Sequence, residues 1–337
     1  MTLRVGINGF GRTGRQAFRA WFENRQDDFE IVAINRGPVA LRTHLLRYDS
    51  DYGRFPAEII DGADSFKVGK HEVAVFNANS PADIPWGDAD VDVVLECTGE
   101  FRDGKSAGQH VRDSVKKVII SAPGKAVDWT VIMGANDEQY DAKAHKVISA
   151  GSCTTNCVVL AIKVLHDAFG VERGFMTTVH SYTGDQNLVD GTHKDLRRAR
   201  AAALNIIPTS SGASDAVAGI IPELAGKFDG LALRVPTPTV SLLDLVTTLR
   251  DAPSVGAINE AYMAAASGPL APYLHYEKDE LVSMDFKGHP ASAIHDAAST
   301  AVLPGGMAKT ISWYDNEWAY SCRLTDVVAM MAERGLE

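Results

Sequence analysis

The chain has 337 residues, of which 45% are hydrophobic and 23% charged, and at this length one hydrophobic core usually gives way to two. The composition is typical of a folded globular protein and excludes both a disulfide-stapled miniprotein and a disordered chain. The formal net charge of −10 opposes non-specific attraction to nucleic acid or to an anionic membrane, so an anionic ligand needs a local binding site.

The cysteines and the apolar runs predict the cellular setting. Four cysteines are too few for a disulfide framework and lack zinc-binding spacing, which favours a reducing compartment and no metal site. The first residues enter a strand pattern without the features of a signal peptide, and no apolar run reaches about 18 residues. We therefore expect a cytoplasmic protein.

The first half of the chain alternates apolar runs with helical patterns, which is typical of a parallel sheet with crossover helices. The predicted strands cover residues 3–7, 30–34, 91–96 and 118–121, and the helical patterns cover residues 14–22 and 111–115. Residues 55–78 alternate in polarity, which indicates hairpins inserted into this sheet.

The pattern changes after Cys153. A long apolar helix is predicted over residues 154–169, and a terminal helix is predicted after Asn316. Between them, strands are predicted over residues 174–180, 231–236 and 241–249. Because this half lacks the regular strand-helix alternation, it predicts a mixed or antiparallel sheet.

A glycine-rich segment follows the first predicted strand and opens the first helix. Gly9 permits a tight turn, Gly11 lets backbone amides approach a pyrophosphate, and Gly14 lets the helix pack closely on the strand. The pyrophosphate would meet the positive end of the helix, with Arg12 and Thr13 as further cofactor contacts. The alternative is an ordinary strand-to-helix turn.

The end of the second strand departs from the usual dinucleotide pattern. An acidic residue commonly binds the ribose 2′-hydroxyl there, but this chain has Arg36, whose guanidinium favours the 2′-phosphate of NADP. The alternative is a solvated arginine stacked on the adenine. Thr98 and Phe101, at the end of a third strand, are candidate cofactor contacts, although Phe101 is nearly as well explained as a core aromatic residue.

Cys153 lies where a strand gives way to the long helix. A thiol in the first helical turn feels the helix dipole and unpaired amides, so its pKa is predicted to be lowered, and the same amides could hold an oxyanion. Of ten histidines, His180 is the candidate base, because it ends a strand and begins a polar segment. Cys97, Cys157 and Cys322 are predicted to be inert structural thiols.

These patterns predict an α/β protein of two domains. Residues 1–152, joined by a terminal helix at 317–337, form a Rossmann-like dinucleotide-binding domain. Residues 153–316 form an α+β catalytic domain with a mixed or antiparallel sheet.

Motifs along the whole chain resemble phosphorylating glyceraldehyde-3-phosphate dehydrogenases. In chain order they are Ser152-Cys153-Thr-Thr-Asn-Cys157, His180-Ser-Tyr-Thr183, Asp195-Leu-Arg-Arg198-Ala-Arg200, Asn205-Ile-Ile-Pro-Thr209-Ser-Ser211-Gly212, Leu233-Arg234-Val-Pro-Thr-Pro and Trp313-Tyr-Asp-Asn316-Glu-Trp318-Ala-Tyr320. Their combination and order are highly specific to this family.

The resemblance implies a reaction and a set of site residues. Glyceraldehyde 3-phosphate is oxidised to 1,3-bisphosphoglycerate through a thiohemiacetal and a thioester on Cys153, with His180 as the base. Thr183 and Arg234 hold the phosphate of the substrate. The attacking inorganic phosphate is held by Ser152, Thr154, Arg198, Ser211 and Gly212. The cofactor is contacted by Ser121, Asn316 and Tyr320.

The same resemblance bears on assembly and on the choice of cofactor. It implies a homotetramer in which segment 181–200 reaches toward a neighbouring subunit's cofactor. Gly191 and Thr192 replace a bulkier Leu-Pro pair of NAD-specific relatives, which leaves room for a 2′-phosphate. Together with Arg36 this predicts that NADP is preferred or accepted while NAD stays possible, and it favours gluconeogenesis or carbon fixation over a purely glycolytic role.

Two rival functions remain at this point. Erythrose-4-phosphate dehydrogenases share the cysteine and the histidine, but Thr183 favours the three-carbon substrate. A non-catalytic anion-binding or RNA-binding role is at most secondary, because Cys153, His180, Arg198 and Arg234 are all present.

Overall fold

The computed structural model describes residues 2–337, so Met1, the first residue of the predicted dinucleotide-binding domain, lies outside the described residues. Over this range the chain divides into two compact units. The first comprises the residues up to Val131 together with Asp137–Gly151 and Ser321–Glu337. The second comprises Ile132–Asn136 and Ser152–Tyr320.

The first unit is built on a largely parallel sheet. Its elements are β1 (Leu3–Asn8), α1 (Arg12–Asn24), β2 (Phe29–Asn35), α2 (Val39–Arg47), β3 (Tyr48–Asp49), β4 (Gly53–Arg54), β5 (Ile59–Asp61), β6 (Ser65–Val68), β7 (His71–Phe76), β8 (Val93–Glu96), α3 (Gly104–Ala107), β9 (Lys117–Ile120), β10 (Trp129–Thr130) and β11 (Val147–Ser149). Among residues 2–337 a nine-stranded sheet has the order β10-β11-β9-β8-β1-β2-β7-β6-β5. The pairs from β10 to β7 are parallel, and β5, β6 and β7 form the predicted antiparallel hairpins.

The strand order places the dinucleotide motif at a topological switch point. β8 and β9 are buried along their whole length, as parallel strands covered on both faces usually are. β1 lies between β2 and β8, and its last residue, Asn8, is in register with Asn35 and Glu96. Three strand ends therefore meet where open α/β sheets bind their ligands, and the predicted Rossmann-like fold is confirmed.

The helical pattern predicted over residues 111–115 is wrong. Short helical turns lie earlier, in α3 and the 3₁₀ turn Gly108–His110. Asp113 adopts a left-handed backbone with φ of 51°, which interrupts a right-handed helix. Val115 is buried nevertheless, so its apolar character reflects packing of an irregular segment and not a helix face.

The second unit is a mixed sheet covered by helices. Its elements are α4 (Cys153–Phe169), β12 (Val171–Ser181), β13 (Ile207–Ser210), α5 (Ala213–Ile220), β14 (Phe228–Val235), β15 (Ser241–Leu249), α6 (Val255–Ala266), β16 (Leu274–Glu277), β17 (Ala293–Leu303), β18 (Met307–Tyr314) and α7 (Trp318–Arg334), whose residues from Ser321 onward belong to the first unit. In the described chain a seven-stranded sheet has the order β13-β14-β12-β15-β18-β17-β16. Two of its pairs, β12-β14 and β16-β17, are parallel, which confirms the predicted mixed sheet.

The core of the second unit positions the catalytic candidates. α4 is apolar along most of its length and packs with residues of α5, α6 and β15 in one buried cluster. β15 alternates between buried and half-buried residues, as a strand with one face on the core should. Cys153 is the first residue of α4, and β12 carries His180 in register with Arg234 of β14.

None of the helices in the described part of the chain combines the length and the apolar character that a membrane crossing requires.

Candidate active site and dinucleotide-binding turn

A cysteine and a histidine form the centre of the site. The hydroxyl of Ser152 caps α4 by accepting a hydrogen bond from the amide of Thr155 at 3.0 Å, which fixes the helix start at Cys153. The sulfur of Cys153 lies 3.5 Å from Nε2 of His180, whose ring is buried. The distance is within the range of a hydrogen bond that involves sulfur.

The hydrogen bonds of His180 determine which ring nitrogen can accept a proton. Nδ1 lies 2.7 Å from the carbonyl oxygen of Ser181, which is an acceptor, so we assign the ring proton to Nδ1. Nη1 of Arg234 also lies 3.0 Å from Nδ1, but it donates to the Ser181 carbonyl and to the hydroxyl of Thr183. The lone pair of Nε2 therefore faces the thiol of Cys153.

The pKa of Cys153 differs from the sequence prediction. Burial raises the pKa of this thiol, and the positive charge of Arg234 and the hydrogen bonds from Thr154 only partly offset that rise. Burial also lowers the pKa of His180 to about 3, and the charge of Arg234 acts in the same direction. The predicted low pKa is therefore wrong for this structure, because burial outweighs the helix start and the charge of Arg234.

A chain of charged and hydroxyl groups continues from His180. Arg234 donates to the hydroxyl of Thr183 at 3.0 Å, and Thr183 donates to Asp185. Asp185 pairs with Arg198, and Arg198 also donates to Thr209 from Nε at 2.9 Å. Arg234 and Arg198, which the sequence assigned to two different phosphates, thus lie in one network with Thr183 and Asp185.

Asp185 is a residue of this network that the sequence analysis did not assign. Burial raises the pKa of Asp185, but the hydrogen bond from Thr183 and the charges of Arg234 and Arg198 outweigh it and hold that pKa below its usual range. Its carboxylate therefore orients the guanidinium of Arg198 directly and the hydroxyl of Thr183, to which Arg234 donates. The signal in the sequence was an acidic residue two positions after Thr183 in a segment expected to bind anions.

The other predicted phosphate ligands occupy two helix starts. At α4, the hydroxyl of Ser152 is the helix cap, while that of Thr154 contacts the hydroxyl of Tyr314 at 2.9 Å. At α5, Gly212 precedes the first helical residue, and the amide of Ala213 donates to the hydroxyl of Ser211 at 3.3 Å. Ser211 and Gly212 thus lie directly before the first residue of α5.

Tyr314 is a second residue whose position the sequence did not indicate. Its hydroxyl contacts Thr154 at 2.9 Å and Thr178 at 2.7 Å, and its ring packs edge-on against the ring of His180 with centroids 6.0 Å apart. It therefore braces the start of α4 against β12. The motif that begins at Trp313 contains Tyr314, but the sequence analysis assigned roles only to Asn316 and Tyr320 of that motif.

Asn316 is held in one orientation by two serines. The hydroxyls of Ser181 and Ser241 donate to its Oδ1 at 2.9 Å and 3.0 Å. Because Oδ1 is engaged, the Nδ2 protons are the part of this amide suited to an incoming carbonyl oxygen. Tyr320 is buried in the first turn of α7.

Two of the remaining thiols, those of Cys97 and Cys157, are poor nucleophiles. Cys157 lies one turn after Cys153 and is fully buried, and burial raises its pKa well above the usual value. Burial likewise raises the pKa of Cys97 to about 12. Within residues 2–337 no group of three or more histidine, cysteine or acidic side chains is arranged to hold a metal ion.

The turn between β1 and α1 has the shape that a pyrophosphate requires. Gly9 has a φ of +92°, and a Cβ atom there would lie 2.7 Å from the amide nitrogen of Thr98. A Cβ atom on Gly14 would lie 2.3 Å from the carbonyl oxygen of Gly9, so helix and strand pack as closely as predicted. A Cβ atom on Gly11 would meet no described atom within 4 Å, which leaves an open approach to the start of α1.

A buried polar network below this turn was not anticipated. Glu96 accepts hydrogen bonds from Nδ2 of Asn8 at 2.5 Å, from the amide of Thr98 at 2.8 Å and from Nε2 of His110 at 3.1 Å. Since the indole of Trp86 donates to Nδ1 of His110 at 3.0 Å, the proton of this imidazole resides on Nε2. The network fixes the ends of β1 and β8, and with them Thr98.

The other predicted cofactor contacts lie at the edge of the first unit. Arg12 pairs with Asp49 at 2.5 Å and with Asp51 at 2.6 Å, and Thr13 follows it in the first turn of α1. The amide of Ser121 donates to the carbonyl oxygen of Glu96 at 3.0 Å.

Arg36 ends β2 with a left-handed backbone, at a φ of 87°. Its guanidinium carbon lies 6.0 Å from the ring centroid of Phe101, and Nη1 pairs with Glu100 at 2.8 Å. Phe101 also packs against the core cluster of this unit, so both of its predicted roles are compatible with its position.

Comparison with known proteins identifies the family. The model of the glyceraldehyde 3-phosphate dehydrogenase NAD binding domain matches residues 3–104, and that of the C-terminal domain matches residues 152–316. Glyceraldehyde-3-phosphate dehydrogenase 2 of Streptomyces arenae is 52% identical over 332 residues, which are 98% of this chain and 99% of the relative. Glyceraldehyde-3-phosphate dehydrogenase of Geobacillus stearothermophilus is 50% identical over 337 residues, which are 100% of both chains. The chain therefore belongs to the glyceraldehyde-3-phosphate dehydrogenase family.

Proposed function

We propose that this protein is a phosphorylating glyceraldehyde-3-phosphate dehydrogenase that reversibly converts D-glyceraldehyde 3-phosphate and inorganic phosphate to 1,3-bisphosphoglycerate. The observation that carries the proposal is the 3.5 Å contact between the sulfur of Cys153 and Nε2 of His180, a nitrogen free of the ring proton. The names of the relatives, which match along nearly their whole length, support the same reaction.

The residues of the chain perform the covalent chemistry. Nε2 of His180 takes the proton from the thiol as the sulfur of Cys153 attacks the aldehyde carbon, and returns it to the oxygen of the resulting thiohemiacetal. The neutral imidazole then accepts the hydroxyl proton as the hydride leaves the same carbon. A bound nicotinamide dinucleotide supplies the acceptor for the hydride that leaves that carbon. Cys153 then carries the acyl group as a thioester, and inorganic phosphate attacks it to release an acyl phosphate.

The two phosphates require separate cationic groups. We assign the phosphate of the substrate to Thr183 and Arg234, which already share a hydrogen bond at 3.0 Å. We assign the attacking phosphate to Arg198 and to the groups at two helix starts, which are Ser152, Thr154, Ser211 and Gly212.

The dinucleotide fits the first unit because the glycine turn leaves space at Gly11 and excludes side chains at Gly9 and Gly14. We assign cofactor binding to residues 1–152 with the terminal helix 317–337, and catalysis to residues 153–316. The remaining cofactor contacts in this proposal are Arg12, Thr13, Arg36, Thr98, Phe101, Ser121, Asn316 and Tyr320.

NADP is the preferred or accepted cofactor in this proposal, and NAD stays possible. A guanidinium at position 36 pairs with a 2′-phosphate, whereas a carboxylate would repel it. The replacement Arg36→Asp is expected to shift the ratio of kcat/KM values toward NAD. An unchanged ratio would remove Arg36 from the cofactor argument.

The whole reaction is tested by steady-state rates with each cofactor, with and without inorganic phosphate. Phosphate-dependent reduction of the cofactor with glyceraldehyde 3-phosphate is the expected result. Greater kcat/KM with erythrose 4-phosphate would favour the rival dehydrogenase, and no reduction with either aldehyde would favour a non-catalytic role. A homotetramer is part of the proposal, and its mass in solution is checked by light scattering.

A further inference from the structure

Glu100 holds the guanidinium of Arg36 through both carboxylate oxygens. Nη1 donates to Oε1 at 2.8 Å and Nη2 donates to Oε2 at 2.9 Å. The Nε atom of Arg36 is buried, and among residues 2–337 it has no hydrogen-bond partner. The carboxylate therefore occupies the edge of the guanidinium formed by Nη1 and Nη2, to which a phosphate would bind through two of its oxygens.

The side chains of Glu100 and Arg36 differ in their exposure and in the contacts that hold them in place. The side chain of Glu100 is 57% exposed and follows Gly99, whereas that of Arg36 is 24% exposed. Nη2 of Arg36 also donates to the carbonyl oxygen of Asn79 at 3.2 Å, and the guanidinium lies over the ring of Phe101. An exposed carboxylate separates from its partner at little cost, so an incoming anion would displace Glu100 and leave Arg36 in place.

A second guanidinium adds positive charge to this edge. Arg42 of α2 packs over Gly37, since a Cβ atom there would lie 2.5 Å from its Nη2. Burial lowers the pKa of Arg42, and the charge of Arg36 acts in the same direction. In the described part of the chain no acidic side chain forms a salt bridge with Arg42, whereas Arg36 pairs with Glu100.

We propose that Glu100 determines cofactor specificity by competing with the 2′-phosphate of the cofactor for Arg36. The inference rests on the proposed function, in which Arg36 binds that phosphate. NAD leaves the pair of Arg36 and Glu100 intact. NADP exchanges the carboxylate for its own phosphate, with Arg42 as a nearby second cation, so Glu100 weakens NADP binding and has little effect on NAD.

Direct binding of two nucleotide fragments tests this inference without turnover. The probes are adenosine 2′,5′-bisphosphate and 5′-AMP, titrated calorimetrically into the full-length protein at low ionic strength. The variants are Glu100→Gln and Arg36→Met, and Glu72→Gln is the control. Glu72 lies near the start of β7, pairs with Lys67 and is about as exposed as Glu100. Glu100→Gln is expected to bind the bisphosphate about fivefold more tightly and 5′-AMP as the parent does, while Glu72→Gln changes neither.

The outcomes separate this inference from the proposed cofactor preference. If Glu100→Gln binds the bisphosphate no more tightly, or binds both probes more tightly by the same factor, Glu100 is not a competitor. If either result occurs while Arg36→Met weakens binding of the bisphosphate and not of 5′-AMP, the proposed role of Arg36 stands and only the role of Glu100 is overturned. If Arg36→Met binds the bisphosphate like the parent, both are overturned.

Discussion

Arg234 places its guanidinium Nη1 3.0 Å from Nδ1 of His180, and its charge lowers the pKa of that imidazole and opposes the rise in the pKa of Cys153. The two effects have opposite consequences for catalysis. Stabilising a thiolate helps the attack on the aldehyde, whereas destabilising an imidazolium makes His180 a weaker base. A phosphate bound at Arg234 would reduce both effects, since its charge neutralises the guanidinium.

Replacement of Arg234 by methionine is expected to raise the pKa of Cys153, because the thiolate then loses the positive charge that lowers this pKa. The measurement is the rate of alkylation by iodoacetamide, a neutral reagent, as a function of pH. The midpoint should move to higher pH in Arg234→Met and stay near that of the parent in Arg234→Lys. A midpoint that is the same in all three proteins contradicts the electrostatic role.

Replacement of His180 by asparagine is expected to lower kcat by about 10²- to 10⁴-fold, which is the usual contribution of a general base. Since Nε2 lies 3.5 Å from the sulfur, the loss should include slower alkylation of Cys153. Calorimetric affinity for the cofactor serves as the control and should not change. Retention of parental kcat would exclude His180 as the base.

Cys153→Ser is expected to eliminate turnover while leaving cofactor affinity largely intact. In the parent protein, iodoacetamide should modify Cys153 before the other thiols, because Cys322 is buried and burial raises the pKa of Cys97 to about 12 and that of Cys157 well above its usual value. Mass spectrometry of tryptic peptides after brief labelling identifies the modified site. Full activity in Cys153→Ser would refute the mechanism.

His295 should make the protein less stable in acid. Its buried ring stacks on Tyr262 with centroids 3.7 Å apart, and burial lowers the pKa of His295 to about 4. In the unfolded chain this histidine binds a proton with a pKa near 6.5. Above that pH the imidazole is neutral in both the folded and the unfolded state, so the free energy of unfolding has its full value. It then decreases by about 1.4 kcal/mol per pH unit as the pH falls toward the folded pKa.

The test of this pH dependence is urea unfolding at several pH values between 7.5 and 4.5. His295→Gln keeps a side-chain N–H donor for Asn259, the present partner of Nε2 at 3.0 Å, but cannot titrate. The variant should show a shallower loss of stability in acid than the parent. Equal slopes for the two proteins would show that His295 does not contribute. His180, with a pKa lowered to about 3, acts in the same direction and remains in both proteins.

Local patterns in the sequence were sufficient to predict the elements that carry the site. In β15 the residues alternate between buried and half-buried, and the apolar run predicted as a helix is the largely buried α4. The glycine spacing predicted the close approach of Gly14 to Gly9. Such patterns succeed because they depend on neighbours along the chain. The irregular segment at Asp113 shows the limit, since two valines at helical spacing pack into the core without a helix.

Properties that depend on distant residues were not predictable. The pKa of Cys153 is raised mainly by burial, which depends on the elements that pack around the start of α4. A local sequence motif does not predict that packing. Likewise Asp185 orients Arg198 across 13 positions of the chain, and Glu100 reaches Arg36 across 64 positions. The sequence indicated the cations of the site, whereas their acidic partners became visible only when the fold placed them together.

The left-handed backbone of Arg36, at a φ of 87°, means that the nucleotide-binding role proposed for this side chain and the stability of the fold favour different residues at this position. A side chain in this conformation strains the backbone by about 1 kcal/mol, a penalty that glycine avoids. Arg36→Gly should therefore melt at a higher temperature than Arg36→Ala, although both lose the cation. Under the role proposed for Arg36, a relative with glycine here would be more heat-tolerant than one with alanine and would discriminate equally poorly between the two dinucleotides.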